Sequence, residues 1–169
     1  DAFENEKTLS KVFFPDSITT IGTYAFNGCT SLSNITLPNS LTGAIGEYAF
    51  AKSGLTSINM SNTSVTIIDK YAFSECSQLT TLYFSVPLQR IEEYAFFNCN
   101  NIMSPTNSAI IMWRYCKYVG RGAFQSNWNN TNIKAFWFYS YYWGESSSSL
   151  VLCQNWNYGR NIDYLGVRL

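Results

Sequence analysis

Few residues of this chain have the types and spacing that catalysis or metal binding requires. Histidine, the commonest general base and metal ligand at neutral pH, is absent. A serine or cysteine nucleophile would then need a lysine or carboxylate partner, and no spacing in the sequence singles one out. The adjacent Glu92 and Glu93 need not converge on one point, so we interpret them as a solvated edge. We therefore predict a non-catalytic protein without a metal or a cofactor.

Charge and hydropathy argue against nucleic acid and membrane insertion. The formal net charge is zero and only 13% of the residues are charged, so the chain lacks a basic footprint. No apolar run approaches the roughly 18 residues of a membrane span. The glycines of Gly120-Arg-Gly122 precede an Ala-Phe pair, which assigns them to a turn rather than to a phosphate loop.

That Ala-Phe pair recurs along the chain and marks the elements that position every other residue. Successive returns are 23, 24, 23, 23 and 28 residues apart, at Ala2, Ala25, Ala49, Ala72, Ala95 and Ala123. A near-constant period of about 20–29 residues is typical of a leucine-rich-repeat solenoid. Because the chain enters in the middle of a repeat, we expect it to be N-terminally truncated, with further repeats or a cap before Asp1.

Within each turn, alternating apolar residues predict a strand that ends near a proline in several copies. Its outward residues form two columns, Lys11/Asn34/Ser57/Thr81/Ala135 and Phe13/Thr36/Asn59/Tyr83/Trp137. No strand residue of turn five is recognisable for these columns. An aliphatic residue four positions before each Ala indicates a second short strand, at Ile21, Ile45, Ile68, Ile91 and Val119. The Tyr-Ala-Phe-x-x-Cys segment predicts a single helical or 3₁₀ turn that buries a spine of Phe26, Phe50, Phe73 and Phe96.

Three of the five cysteines share one position of the repeat. Cys29, Cys76 and Cys99 each follow the repeat Ala by four residues, so stacking places them on one line. Adjacent turns lie roughly 4.8 Å apart, which permits a Cys76–Cys99 disulfide. We favour small buried apolar groups instead and predict unbridged thiols.

The regular pattern breaks near residues 103–118, and the composition then changes. All five tryptophans lie within or beyond this stretch, and residues 136–143 are almost wholly aromatic. Residues 144–149 predict a turn or loop, and residues 150–153 and 164–169 predict strands of a hairpin-like module. The tract either closes the end of the solenoid or forms a recognition surface. We predict two regions, 1–104 with about 4.5 turns and 105–169 with an irregular last repeat and an aromatic cap or module.

Residues 21–38 show one full turn of the repeat. Their pattern, Ile-Gly-x-x-Ala-Phe-x-x-Cys-x-x-Leu-x-x-Ile-x-Leu-Pro, resembles the BspA-type (Treponema pallidum-type) leucine-rich repeat. The match covers residues 1–104 well and 119–138 loosely. The resemblance implies a β-rich leucine-rich-repeat solenoid of the α/β class. It also implies a secreted or surface-anchored, adhesin-like protein that binds other proteins and has no catalytic residues.

A second resemblance is confined to the C-terminal segment. Tyr142-Trp143, the serines 146–149, Gly159 and the closing Gly166-Val-Arg-Leu169 are similar to the end of C-type-lectin-like domains in bacterial surface and phage-encoded variable proteins. In those domains the corresponding segment carries variable ligand-contacting residues. This resemblance implies a diversified receptor with the repeats as a stalk.

We therefore expect an extracellular or cell-surface adhesion module that mediates host or cell–cell interaction. We expect it to be a monomer and to bind a protein or a glycan. The alternatives are the lectin-like receptor and a structural spacer. The candidate contact residues are the exposed aromatics of the strand column and of the C-terminal tract: Phe13, Tyr83, Trp137, Tyr139, Tyr141, Trp143, Trp156 and Tyr158.

Overall fold

The computed structural model describes residues 2–102, 116 and 118–125, together with the backbone of strands 109–112, 135–140, 147–152 and 160–161. Its described part contains ten strands: β1 Thr42–Ile45, β2 Ser57–Asn59, β3 Ser64–Ile68, β4 Thr81–Tyr83, β5 Arg90–Ile91, β6 Ala109–Met112, β7 Tyr118–Val119, β8 Ala135–Ser140, β9 Ser147–Leu152 and β10 Arg160–Asn161. Within those residues no helix is long and apolar enough to cross a membrane.

The largest sheet takes one short strand from each turn, in the order β1-β3-β5-β7-β10. Parallel pairing aligns the aliphatic column, with Ile45 opposite Ile68, Ile68 opposite Ile91, and Ile91 opposite Val119. An isolated parallel bridge from Ile21 to Ile45 extends the column to the preceding turn. Branched residues suit such half-buried strands, and the predicted second strand is confirmed.

A second, two-stranded sheet carries the outward columns of turns three and four. Strands β2 and β4 are parallel, with Ser57 opposite Thr81 and Asn59 opposite Tyr83. Between these pairs Ile58 and Leu82 point inward and are buried. The alternation predicted for both columns is therefore confirmed in these turns. The strands predicted for turns one and two are wrong, because residues 11–14 and 34–37 form no ladder with a neighbouring turn.

The third sheet, β6-β8-β9, corrects two expectations. Strand β6 pairs in parallel with β8 and places Ile111 opposite Trp137, so turn five does supply a strand to that column. The repeat pattern did not predict β6, because its residues lie inside the insertion that lengthens the step from Ala95 to Ala123 to 28 residues. Strand β9 begins at Ser147 and pairs antiparallel with β8, so the serine run 147–149 is strand rather than loop. Ladder hydrogen bonds to β8 override the turn preference of serine.

The Ala-Phe segments are not helical, which corrects the prediction of a helical or 3₁₀ turn. Alternate amides bond within the turn, as Ala25 N to Gly22 O (3.3 Å), and to the next turn, as Phe26 N to Ala49 O (2.7 Å). A helix would direct every amide along its own axis. Here half of them instead join neighbouring turns, which requires left-handed residues: each tyrosine before Ala-Phe has φ between 54° and 57°.

The core is a column of stacked phenylalanines. Phe26, Phe50, Phe73 and Phe96 are almost completely buried, with ring centroids 5.1–5.3 Å apart and nearly parallel planes. The predicted spine is confirmed, and Phe3 and Phe124 extend the stack at its two ends. The centroid distances lie in the range that aromatic pairs prefer, so each ring stabilises two neighbours.

The cysteine line is confirmed, and its members are free thiols. Each donates to the carbonyl of the spine phenylalanine in the preceding turn: Cys29 to Phe3, Cys76 to Phe50 and Cys99 to Phe73, all at 3.0 Å. Cys29, Cys76, Cys99 and Cys116 are buried and unbridged. Cys153 lies outside the described residues.

Residues 118–125 continue the stack. Phe96 N donates to Ala123 O (2.7 Å), and β7 continues the large sheet after β5. Beyond β7 the sheet changes direction, because β10 pairs with it antiparallel and occupies the strand edge that β7 would otherwise expose. The predicted strand at 164–169 lies outside the described residues.

Candidate functional site

The surface most suited to binding is the strand face, which we define as the outward residues of the first four turns: Lys11, Asn34, Ser57 and Thr81, with Phe13, Thr36, Asn59 and Tyr83. Alternation along each strand sends the neighbouring side chains into the core and leaves these outside. The eight residues are exposed or half-buried.

Two aromatic side chains stand at opposite ends of the strand face. Phe13 is 81% exposed and Tyr83 is 47% exposed. Both are exposed as the sequence predicts, but Phe13 lies in the first turn and Tyr83 in the fourth. The Lys11 Nζ lies 4.7 Å from the Phe13 ring centroid, where a cation–π contact holds it. The strand face therefore carries two separate exposed aromatic side chains rather than one cluster.

Between these aromatics the strand face is uncharged. Its side chains are amides and hydroxyls, and some are fixed by local bonds. Asn59 Oδ1 accepts bonds from the backbone N (2.9 Å) and the hydroxyl (2.7 Å) of Ser61. Alongside the face, Thr56 donates its hydroxyl to the Ser33 carbonyl, and Thr80 donates to the Thr56 carbonyl. The middle of the strand face therefore offers hydrogen-bonding groups but no charge.

A cleft of about 470 Å³ opens in the strand face between the first two turns, lined by residues 10–14, 16 and 34–39. Core side chains reach its floor: Val12, Phe14 and Ile35 are half-buried. The equivalent Ile58 and Met60 of turn three are fully buried. Sequence reasoning missed the cleft, because these positions carry the same apolar pattern in every turn and reveal nothing about the distance between turns.

Of the predicted C-terminal contact residues, only the backbones of Trp137 and Tyr139 are described. Trp137 and Tyr139 lie in β8, with their backbones opposite Leu150 and Ser148. Tyr141, Trp143, Trp156 and Tyr158 lie outside the described residues. Recognition by this tract stays a prediction.

The titratable groups form no catalytic arrangement in the part of the chain that the structure describes. Burial raises the pKa of the Cys116 thiol to about 12, and burial together with the Cys76 thiol raises the pKa of Cys99 well above its ordinary value. Neutral thiols of this kind are poor nucleophiles and poor metal ligands. The described side chains also include no group of three or more His, Cys, Asp or Glu that could hold a metal ion.

Comparison with known proteins agrees with this architecture. The pattern of the BspA type leucine rich repeat region matches residues 1–131 in six copies. A crystal structure of a leucine-rich repeat protein from Bacteroides ovatus is similar, with 22% sequence identity and a TM-score of 0.40. The similarity covers 80% of this chain but only 44% of that protein. No curated protein matches the chain. Matching repeats over most of its length, the chain belongs to the BspA-type leucine-rich repeat family.

Proposed function

We propose that this chain is a non-catalytic protein-binding module whose strand face carries the contact. The observation that carries the proposal is the exposure of Phe13 and Tyr83 on that face. Phe13 and Tyr83 lie outside the buried column of Phe26, Phe50, Phe73 and Phe96, so they contribute little to its packing. Binding energy concentrates in a few aromatic anchors, and tyrosine is favoured among them.

The setting that we propose is the cell surface or the extracellular space, with the chain acting as a monomeric adhesion module toward host or neighbouring cells. Family membership supports this setting, since BspA-like proteins are generally secreted or surface-attached. A structural spacer predicts outward columns without large aromatic side chains, and the exposed Phe13 and Tyr83 argue against it.

The experiment is a binding screen with the purified chain against immobilised extracellular-matrix proteins and, in parallel, a glycan array. We expect at least one protein to bind, and Tyr83→Ala to weaken that binding by about thirtyfold or more, because truncating an anchor residue costs at least ~2 kcal/mol.

Gln78→Ala is the matched surface control, because Gln78 is exposed and lies outside the strand face. It should bind like the parent protein. Equal affinity of Tyr83→Ala and the parent, or binding to glycans alone, would refute the proposal.

A further inference from the structure

The first two turns lack the backbone pairing that joins turns three and four on the strand face. The backbones of residues 12–14 and 35–37 make no hydrogen bond to another described residue. In the next pair of turns β2 lies in register with β4, and Met60 N donates to Tyr83 O at 2.8 Å. Both segments therefore carry main-chain donors and acceptors without a partner among the described residues, and residues 35–37 lack one toward turn three as well as toward turn one. An added strand could pair with them.

The opening is held in place on both sides. On the Ala-Phe side, Phe3 N donates to Ala25 O at 2.9 Å. On the side of the large sheet, Thr42 N donates to Thr19 O at 2.9 Å, and Ser40 Oγ donates to Ile18 O at 2.6 Å. The two turns are therefore joined at their flanks and separate only at the strand face, so the cleft is a preformed site rather than a loosened end.

The interior of the cleft has two kinds of chemistry. Its floor is apolar, formed by the half-buried Val12, Phe14 and Ile35. Its rim is polar and includes the opposite charges of Lys11 and Asp16. An extended peptide matches both, because its alternate side chains point in opposite directions and its backbone supplies donors and acceptors at strand spacing. The volume of about 470 Å³ falls in the usual range of ligand sites, roughly 300–1,000 Å³.

We propose that this cleft binds an extended stretch of a partner polypeptide, with alternating apolar and polar side chains, by pairing backbone to backbone with the first two turns. The inference rests on the proposed function and names the form in which the partner is recognised. Apolar side chains of the peptide cover Val12, Phe14 and Ile35, and its ends lie beside Lys11 and Asp16.

The probe is a displayed library of random linear heptapeptides, selected on the purified full chain. An enriched peptide is then synthesised with free amides and again with every second amide N-methylated, and each affinity is measured by calorimetry. Backbone pairing predicts alternating apolar and polar residues among the enriched peptides. It also predicts a loss of at least tenfold on N-methylation in one of the two alternate registers.

Two variants locate the site. Thr36→Trp adds bulk at an exposed residue of the cleft wall and should weaken the peptide at least tenfold. Gln78→Trp adds the same bulk outside the cleft and should bind like the parent. Both variants should keep the parent melting temperature, because both positions are exposed.

The inference is overturned if no peptide is enriched, if neither methylated register weakens binding, or if Thr36→Trp binds as tightly as Gln78→Trp. A peptide that is lost on Tyr83→Ala but retained by Thr36→Trp would also overturn it. That last result would leave the strand face itself standing as a binding surface.

Discussion

Phe73 occupies the middle of the stacked core. Its ring is fully buried and lies 5.3 Å from that of Phe50 and 5.1 Å from that of Phe96. Phe73→Ala should therefore lower the free energy of unfolding by about 3–5 kcal/mol, because the neighbouring turns cannot collapse into the cavity. Urea denaturation followed by circular dichroism measures it. Ser77→Ala, at an exposed position in the same turn, is the control. Equal midpoints for the two variants would show that Phe73 is not in the core.

The Cys116 thiol makes the stability depend on alkaline pH. Its folded pKa of about 12 lies above the ordinary value near 9, so the folded state holds the proton more tightly than the unfolded chain. The stability is fully present below about pH 9 and falls from there toward pH 12, by up to ~1.4 kcal/mol per pH unit for one thiol. Denaturation at pH 7 and pH 10.5 should show that Cys116→Ala depends on pH less steeply than the parent. Identical slopes would contradict this account of the thiol.

Some residues of the repeat could be understood from the sequence alone, and others could not. The Phe and Cys positions were predictable because burial follows directly from a constant period. The tyrosines at φ of 54–57° were not, since a bulky residue seldom adopts a positive φ. Stacking of the tyrosine rings at 4.7–5.1 Å and bonds such as Tyr24 N to Glu47 O at 3.0 Å stabilise that conformation.

At the scale of the elements, each turn is joined to the next by backbone bonds and ring stacking rather than by charge. The ion pairs Lys70–Glu93 (3.1 Å) and Lys52–Glu75 (3.7 Å) align with the turns but are exposed to solvent. Exposed pairs of this kind contribute little to stability. The sequence must therefore allow the backbones of neighbouring turns to approach closely.

In turn three, where one residue of the repeat is missing, Gly54 allows the close approach of backbone to the preceding turn. A Cβ at this position would lie within van der Waals overlap of the Thr30 carbonyl oxygen in the preceding turn. Gly54→Ala should cost about 1–3 kcal/mol, because backbone has to move. Gly22→Ala is the control, since its added Cβ would meet nothing within 4 Å. Thermal denaturation of the two variants compares them, and equal melting temperatures would exclude the close approach.

At the scale of the whole molecule, periodicity predicted the order of the turns and both strand columns, but not how tightly each pair of turns closes. Strand β6 was missed because it lies in the long insertion, and β10 because its antiparallel pairing with β7 has no counterpart in the repeat. The cleft was missed because it depends on the spacing between turns, which no single repeat encodes.

Amide hydrogen exchange, read residue by residue by NMR, tests the central claim that the turns are stacked throughout but that the strand face of the first two turns is unpaired. Phe26 and Phe50, whose amides bond to the next turn at 2.7 and 2.8 Å, should be strongly protected, as should Met60. The amides of Phe14 and Leu37 occupy the same repeat position as Met60 but have no backbone partner among the described residues, so they should exchange much faster. Equal protection of Phe14, Leu37 and Met60 would contradict the opening. Rapid exchange at Phe26 and Phe50 would contradict the stacked solenoid itself.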